Sequence, residues 1–491
     1  MKLSAKSTRK KSDNTADLLC GGEASALLRF SFPIILSYLL QQVYTISDAI
    51  ICGQALSADE VAGVNDVFPL IFIFLQFAFG CTAGFSVITS IRFGCRDEVG
   101  VRRSFAAQLI LGAAVTLLLT LIALLTLKPM LSLIRVTPDN PAVYGAAYTY
   151  CFIIFLGIAA QLFYNLICSI LRSLGDSMTP LIFLLISTLL NIALDLLFIV
   201  TFRLGVFGAA GATVLAQALS AAACTIYTFI RYPQFSPKGT DFRPDAEFYF
   251  QHIKQGLPLG LQFSVLAIGI IVMQGQLVSV DLGEDGVMTA GNPAQNGFGA
   301  ANKLNGFLMC PMNAFGSAIV SFNAQNYGAG KYERIRRGLY KSLLITLAMY
   351  LILGGLGLLA TIGGAYQYLF LSADKISAAT IRFGNIYLYV DLSMYFLLGA
   401  LFVLRCGVQG IGHSEFTLLA GFAELAARIG VCTLLPGLIN GGPIGAGAST
   451  AAYVSLCFAD PIAWFGAVMA LLYPTVKYMI GMRYHDRSRN L

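Results

Sequence analysis

Four oxygen-bearing side chains stand where an apolar sequence is not expected to carry them. Asp48 lies in ILSYLLQQVYTISDAIICG, Asn191 and Asp195 lie in TPLIFLLISTLLNIALDLLFIV (179–200), and Thr213 follows in GAAGATVLA. The spacing of four between Asn191 and Asp195 puts both on one helix face, a turn apart. An ionisable group inside a membrane is costly unless it faces protein or water, so it is read first as functional. At roughly 1.5 Å per helical residue, Asp48, Asp195 and Thr213 fall roughly 7–11 Å below the outer helix ends, and Asn191 roughly 16 Å. Hard oxygen ligands of this kind suit Na⁺, and two close carboxyls share a proton because they cannot both ionise cheaply. The expectation is an H⁺ or Na⁺ site that powers transport. The plainer alternative is that Asn191 and Thr213 only hydrogen-bond between helices.

These residues need helices to hold them at depth. The 491 residues are 57% hydrophobic and 12% charged, with a mean hydropathy of +0.74. Apolar runs of about twenty residues recur throughout, which defines an all-α polytopic membrane protein. The runs predict twelve spans at 30–53, 61–86, 104–127, 146–171, 180–202, 206–230, 252–280, 301–324, 338–360, 381–405, 416–437 and 444–473. No stretch shows the alternation of a barrel strand. The organisation reads as a tail (1–29), a six-helix lobe (30–231), a linker (232–251), a second six-helix lobe (252–476) and a tail (477–491). The first apolar run is too long for a signal-peptide core and is expected to be retained.

The net charge of +7 does not imply nucleic acid, because the basic residues alternate in sidedness. Of 32 Lys and Arg, 25 fall in the two tails and the loops after even-numbered spans, six fall in the opposite loops, and Arg428 lies mid-helix. Both termini are expected in the cytoplasm, with the chain in the cell membrane. The eleven cysteines form no CxxC pairs and read as small core residues, and three scattered histidines offer no metal site.

The halves repeat. SLGDSMTPL (173–181) matches GIGHSEFTL (410–418), and the same offset carries GAAGAT (208–213) onto GAGAST (445–450). RFGCRDEVGVRR (92–103) matches NYGAGKYERIRR (326–337). Six spans per half give both copies one orientation, a transporter architecture with its site between the halves. The second half has not kept the polar set. Asp48 falls on Met273, Asn191 on Arg428, Asp195 on Cys432 and Thr213 on Thr450, so coupling chemistry is expected in the first half alone.

The second half has its own charges. Glu424 and Arg428 are four apart on one span, and Asp391 on another reaches a similar depth; they read as a neutralised ion network or a gate. Gln41, Gln42, Gln262, Gln274, Gln276, Asn302, Asn305 and Asn313 are dense for lipid-facing helices and are expected to line an aqueous cleft. Candidate substrate contacts are Gln41, Gln42, Tyr164, Asn165, Met273, Gln274, Asn302 and Asn305.

FPIILSYLLQQVYTISDAIICGQ, RSLGDSMTP, NIALD followed by GAAGAT, and NAQNYGAGKYERIRRG together resemble the multidrug and toxic compound extrusion (MATE) family over about residues 27–475. The resemblance implies two six-helix lobes around a V-shaped cleft and drug efflux driven by a Na⁺ or H⁺ gradient. It implies a cation site at Asp48, Asn191, Asp195 and Thr213. Two departures stand out: Leu196 replaces the proline that often follows the second aspartate, and Gln262 and Leu266 occupy a region where some members carry an acid. The expected activity is export of amphipathic, cationic small molecules in exchange for H⁺ or Na⁺, without enzyme chemistry or a cofactor, by a monomer. Competing readings are a flippase for lipid-linked saccharides, an intramembrane aspartyl protease (disfavoured by the lack of GxGD) and a channel (disfavoured by the lack of a filter sequence).

Overall fold

The computed structural model describes residues 17–243, 246–283, 288–442, 444–446 and 448–481. The first sixteen residues of the expected N-terminal tail, and 482–491 of the C-terminal one, lie outside it. The first half consists of α1 (Glu23–Ala55), α2 (Ala58–Gly94), α3 (Glu98–Leu133), α4 (Pro141–Leu156), α5 (Ile158–Ser173), α6 (Met178–Asp195) and α7 (Gly205–Arg231). The second half consists of α8 (Ala246–Val280), α9 (Pro293–Gly328), α10 (Tyr332–Ala360), α11 (Ala378–Ser393), α12 (Tyr395–Gly410), α13 (Ser414–Asn440), α14 (Thr450–Cys457) and α15 (Ala459–Pro474). Local chemistry starts several of them. Ser57 and Glu60 form a reciprocal capping box on α2, Asp97 caps α3, and Asn140 with Pro141 opens α4. The Asp281 carboxylate accepts from Ala294 N (3.0 Å) and Gln295 N (2.9 Å), which ties the long connection before α9 to that helix's first turn.

Among the described residues ten helices are long and apolar enough to span a membrane unaided, and two bent pairs bring the number to twelve if each pair is one span. α4 and α5 meet at 43°, and α11 and α12 at 52°. The sequence shows these as unbroken spans because no proline marks either bend. The repeat offset carries Gly157, at the first break, onto Met394, at the second. At Gly157 the cause is visible: a Cβ there would lie 2.2 Å from Val214 of α7, so the missing side chain lets α7 pack into the notch.

The lobes meet in a seam of glycines. A Cβ on Gly80 or Gly84 of α2 would lie 2.5 Å from Leu259 O or 2.4 Å from Gln255 O of α8. Gly256 and Gly260 of α8 are equally tight against Phe85 and Cys81 of α2. This is the small-residue packing that lets membrane helices approach closely. At the end of the bundle that carries both described termini, the repeat crosses itself. A Cβ on Gly94 would lie 2.1 Å from Gln325 O, and one on Gly328 2.0 Å from Ile91 O, and these are equivalent positions of the two copies. Toward the opposite end Gln41, Phe68, Gln274 and Asn302 are exposed.

The segment before α1 is strapped to the second lobe. Leu18 is fully buried, and Asn326 Nδ2 (3.1 Å) and Arg334 Nε (3.2 Å) donate to its carbonyl. Lys331 Nζ donates to Leu19 O at 2.6 Å, and Arg334 donates to Cys20 O at 2.9 Å and Gly21 O at 2.6 Å.

Candidate ion-coupling site

α1 carries Tyr44, Asp48 and Cys52 at intervals of four, on one face. α6 carries Asn191 and Asp195 in the same manner, α7 brings Thr213, and α4 brings Tyr150. The structure gathers these groups. Asp48 and Asp195 interact side chain to side chain, and Tyr150 and Tyr44 lie within electrostatic range of both carboxyls. Cys52, Ile199 and Ala209, with Ile51, Leu56 and Tyr150 against them, form an apolar cluster beside the site.

Burial and hydrogen bonding define what the site can do. Asp48 and Thr213 are half-buried, whereas Asn191 and Asp195 are fully buried. Neither polar atom of Asn191, neither carboxyl oxygen of Asp195 and not the Tyr44 hydroxyl completes a hydrogen bond, although Tyr44 approaches Thr213. Two facing carboxyls hold no donor between them unless a proton or cation stands there. Among the described residues no three His, Cys, Asp or Glu side chains cluster to hold a metal ion. Two carboxyls, an amide and hydroxyls fit a hard monovalent cation or a shared proton.

α6 does not end regularly. A π-helical turn, Leu196–Thr201, begins directly after Asp195, with Phe202 N donating to Leu197 O at 2.9 Å and Leu204 N to Phe198 O at 2.9 Å. The distortion occurs although Leu196 replaces the family's frequent proline. Such bulges gather at functional positions.

The second lobe holds a different network. Asn305 Nδ2 donates to Asp391 Oδ2 at 2.5 Å and to Tyr387 at 3.1 Å. Arg428 bonds Asp460 at 2.7 Å and Glu424 at 3.3 Å, and Arg405 pairs with Glu424. Glu424 and Arg428 therefore do form an ion pair, whereas Asp391 takes Asn305 rather than Arg428 as its bonded partner. Arg405, counted above as a loop charge, is a helix-interior residue bound to Glu424. Arg405 and Asp460 complete the network and gave no signal, because partners on separate spans have no sequence spacing.

The expected substrate contacts divide. Gln41, Gln274 and Asn302 are exposed, Asn165 is half-buried, and Gln42 reaches across to Cys310 Sγ of α9 at 3.7 Å. Three expectations need correction. Met273 is 3% exposed in the second lobe's apolar core, Asn305 is committed to Asp391, and Tyr164 is buried beside Cys168 and Ala221 inside the first lobe. Each has a side that faces its own lobe once the helices pack. Tyr44 and Tyr150 join the site unannounced. The repeat offset places Tyr150 on Tyr387, beside a carboxylate in each lobe.

Among the described residues up to twelve spans form two lobes, each with a polar network of its own, the arrangement of a duplicated-lobe membrane transporter. The profile of the MatE family matches residues 33–197 and 289–434. A Bacillus subtilis (strain 168) protein described as "Probable multidrug resistance protein YpnP" is 30% identical over 65% of this chain and 68% of its own length. A second B. subtilis protein, "Probable multidrug resistance protein YoeA", is 26% identical over 83% of this chain and 85% of its own. A solved structure described as the outward-facing conformation of a multidrug resistance MATE family transporter superposes with a TM-score of 0.82 at 21% identity, covering 95% and 98% of the two chains. The chain belongs to the MATE family of multidrug efflux transporters.

Proposed function

We propose that this chain is an antiporter that exports amphipathic, cationic small molecules in exchange for H⁺ or Na⁺. The single observation that carries the reading is the Asp48–Asp195 carboxyl pair, in which Asp195 is fully buried beside Asn191 and both of these residues have their hydrogen-bonding capacity unspent. The Lys and Arg bias supports an orientation with the termini-bearing end in the cytoplasm, and export from the cell is served by a place in the cell membrane. The glycine seam then closes the cytoplasmic side, and the cleft opens outward. In this state a proton or Na⁺ enters at half-buried Asp48, is shared with Asp195, and is held by Asn191, Tyr44 and Thr213. Coupling requires that the cation bind the substrate-free conformation more tightly than the substrate-loaded one. Asp195 sits at the junction of α6 and its π-turn, so a change in its charge acts on the least regular part of the helix. Substrate uses the cleft past Gln41, Gln274 and Asn302.

The test is gradient-driven efflux of ethidium from proteoliposomes, with Na⁺ and pH gradients imposed separately. One gradient is expected to drive efflux, and Asp48→Asn and Asp195→Asn are each expected to abolish it. Efflux at the wild-type rate by either variant overturns the reading.

A further inference from the structure

The polar cluster does not stop at Asn191. On α6 the spacing of four continues inward to Ser187, which is 1% exposed, and on α7 Thr213 is followed by Gln217 (5%) and Ser220 (2%) on the same face. α6 and α7 are consecutive spans packed against each other, so they run antiparallel. Asp195 therefore shares a depth with Thr213, Asn191 with Gln217, and Ser187 with Ser220, a column of roughly 12 Å. The Ser187 and Ser220 hydroxyls and Gln217 Oε1 are buried without a hydrogen-bond partner, as are the Asn191 and Asp195 atoms above them.

A hydroxyl on a membrane helix has a partner at hand, the carbonyl one turn back. Neighbouring residues use it: Thr188 donates to Leu184 O (2.9 Å), Thr225 to Ala221 O (2.7 Å) and Thr228 to Cys224 O (2.7 Å). Ser187 and Ser220 leave that bond unmade, at matching depths on the two packed helices. A buried polar group without a partner costs about 1–3 kcal/mol, so a stack of them persists only where something polar fills it. Water or a small cation has the size and bonding for that. At the inner foot stands the apolar cluster of Tyr164, Cys168 and Ala221, with Phe183 against it.

We propose that the column between α6 and α7 is a hydrated conduit that carries the coupling cation from the carboxyl pair toward the cytoplasmic end of the first lobe, with Tyr164 and Phe183 as its closure. Cation and drug then leave the midplane by separate routes, the drug through the cleft and the cation through the lobe. The proposal rests on the coupling role assigned to Asp48 and Asp195.

Ser220→Val and Ser220→Thr have matched volume and differ in one hydroxyl. In proteoliposomes with the driving gradient, Ser220→Val and Gln217→Leu are expected to slow ethidium efflux about tenfold, the loss equivalent to one hydrogen bond. Ser220→Thr is expected to stay near the wild-type rate. Hydroxyl-radical labelling of Tyr164 and Phe183, which needs water beside the ring, is expected in the wild type and reduced in Ser220→Val. The infrared carboxyl response to Na⁺ or acid is expected to survive in all three variants. Wild-type efflux in both Ser220→Val and Gln217→Leu, or an unlabelled Tyr164 and Phe183 in the wild type, overturns the conduit. Should Ser220→Val not fold, Ser187→Ala removes a hydroxyl from the facing helix and is held to the same expectation. Loss of the carboxyl response in the wild type would count against the Asp48–Asp195 reading instead, with the labelling result standing apart.

Discussion

At the scale of single residues, the two lobes use charge in opposite ways. Asp195 is a buried acid with no fixed counter-charge bonded to it, whereas Arg428 is a buried base bound by two acids. Replacing an unpaired buried acid by its neutral isostere removes a desolvation cost. Asp195→Asn is therefore expected to lose transport while its melting temperature in Na⁺-free buffer does not fall. Arg428→Ala leaves Asp460 without its partner and Glu424 with Arg405 alone, and breaking a buried pair from one side typically costs about 3–5 kcal/mol. Its melting temperature is expected to drop by many degrees, and calorimetry on the two variants side by side reads the contrast. The acids, the amide and the hydroxyl of the first lobe were legible in the sequence because polarity inside an apolar run is itself the signal. Arg405, Asp460, Tyr44 and Tyr150 were not, since a partner on another helix or an aromatic ring in an aromatic-rich chain carries no such contrast.

At the scale of elements, the seam depends on missing side chains. Gly94→Val or Gly328→Val is expected to force α2 and α9 apart, because each new Cβ would meet backbone rather than a movable side chain. The readout is maleimide labelling of Cys95, whose thiol donates to Gly328 O at 3.1 Å; its rate is expected to rise. Gly53→Ala, which meets nothing within 4 Å, is the control and is expected to change nothing. The linker is pinned in another way, by Asp241, which accepts from Arg102 Nε (3.1 Å) and Lys238 N (2.9 Å). Burial pushes the Asp241 carboxyl up, but those bonds more than offset it and hold it below its ordinary value. A carboxyl held low contributes fully above its unfolded value and loses that contribution as pH falls through the folded one. Trypsin cleavage between residues 232 and 243, normalised at each pH to cleavage of a free peptide substrate, is thus expected to be unchanged from pH 8 down to about 5, whereas Asp241→Asn is expected to raise it throughout that range. The spans were legible as elements; the bends at Gly157 and Met394 were not, because neither has a local breaker such as proline, and at Gly157 the cause is the packing of α7.

At the scale of the whole molecule, duplication supplies the frame and divergence gives each lobe its own polar groups. Equivalent glycines cross at the seam and equivalent spans bend, yet the offset replaces Asn191 by Arg428 and Asp195 by Cys432. The matching segments made the frame readable before any coordinates. Exposure toward the cleft was harder to read: Met273 and Asn305 turn inward because rotation of a helix about its axis is fixed by neighbours that no single span reveals.

The strap of residues 18–21 has a consequence for how the chain is made. Leu18 waits for Arg334, 316 residues later, before its carbonyl is bonded. At about 5–20 residues per second of synthesis, that delay is on the order of 15–60 s. α1, made ahead of the second lobe, therefore reaches its final neighbours on α9 and α10 only after that delay, and its contact face waits uncovered until they arrive.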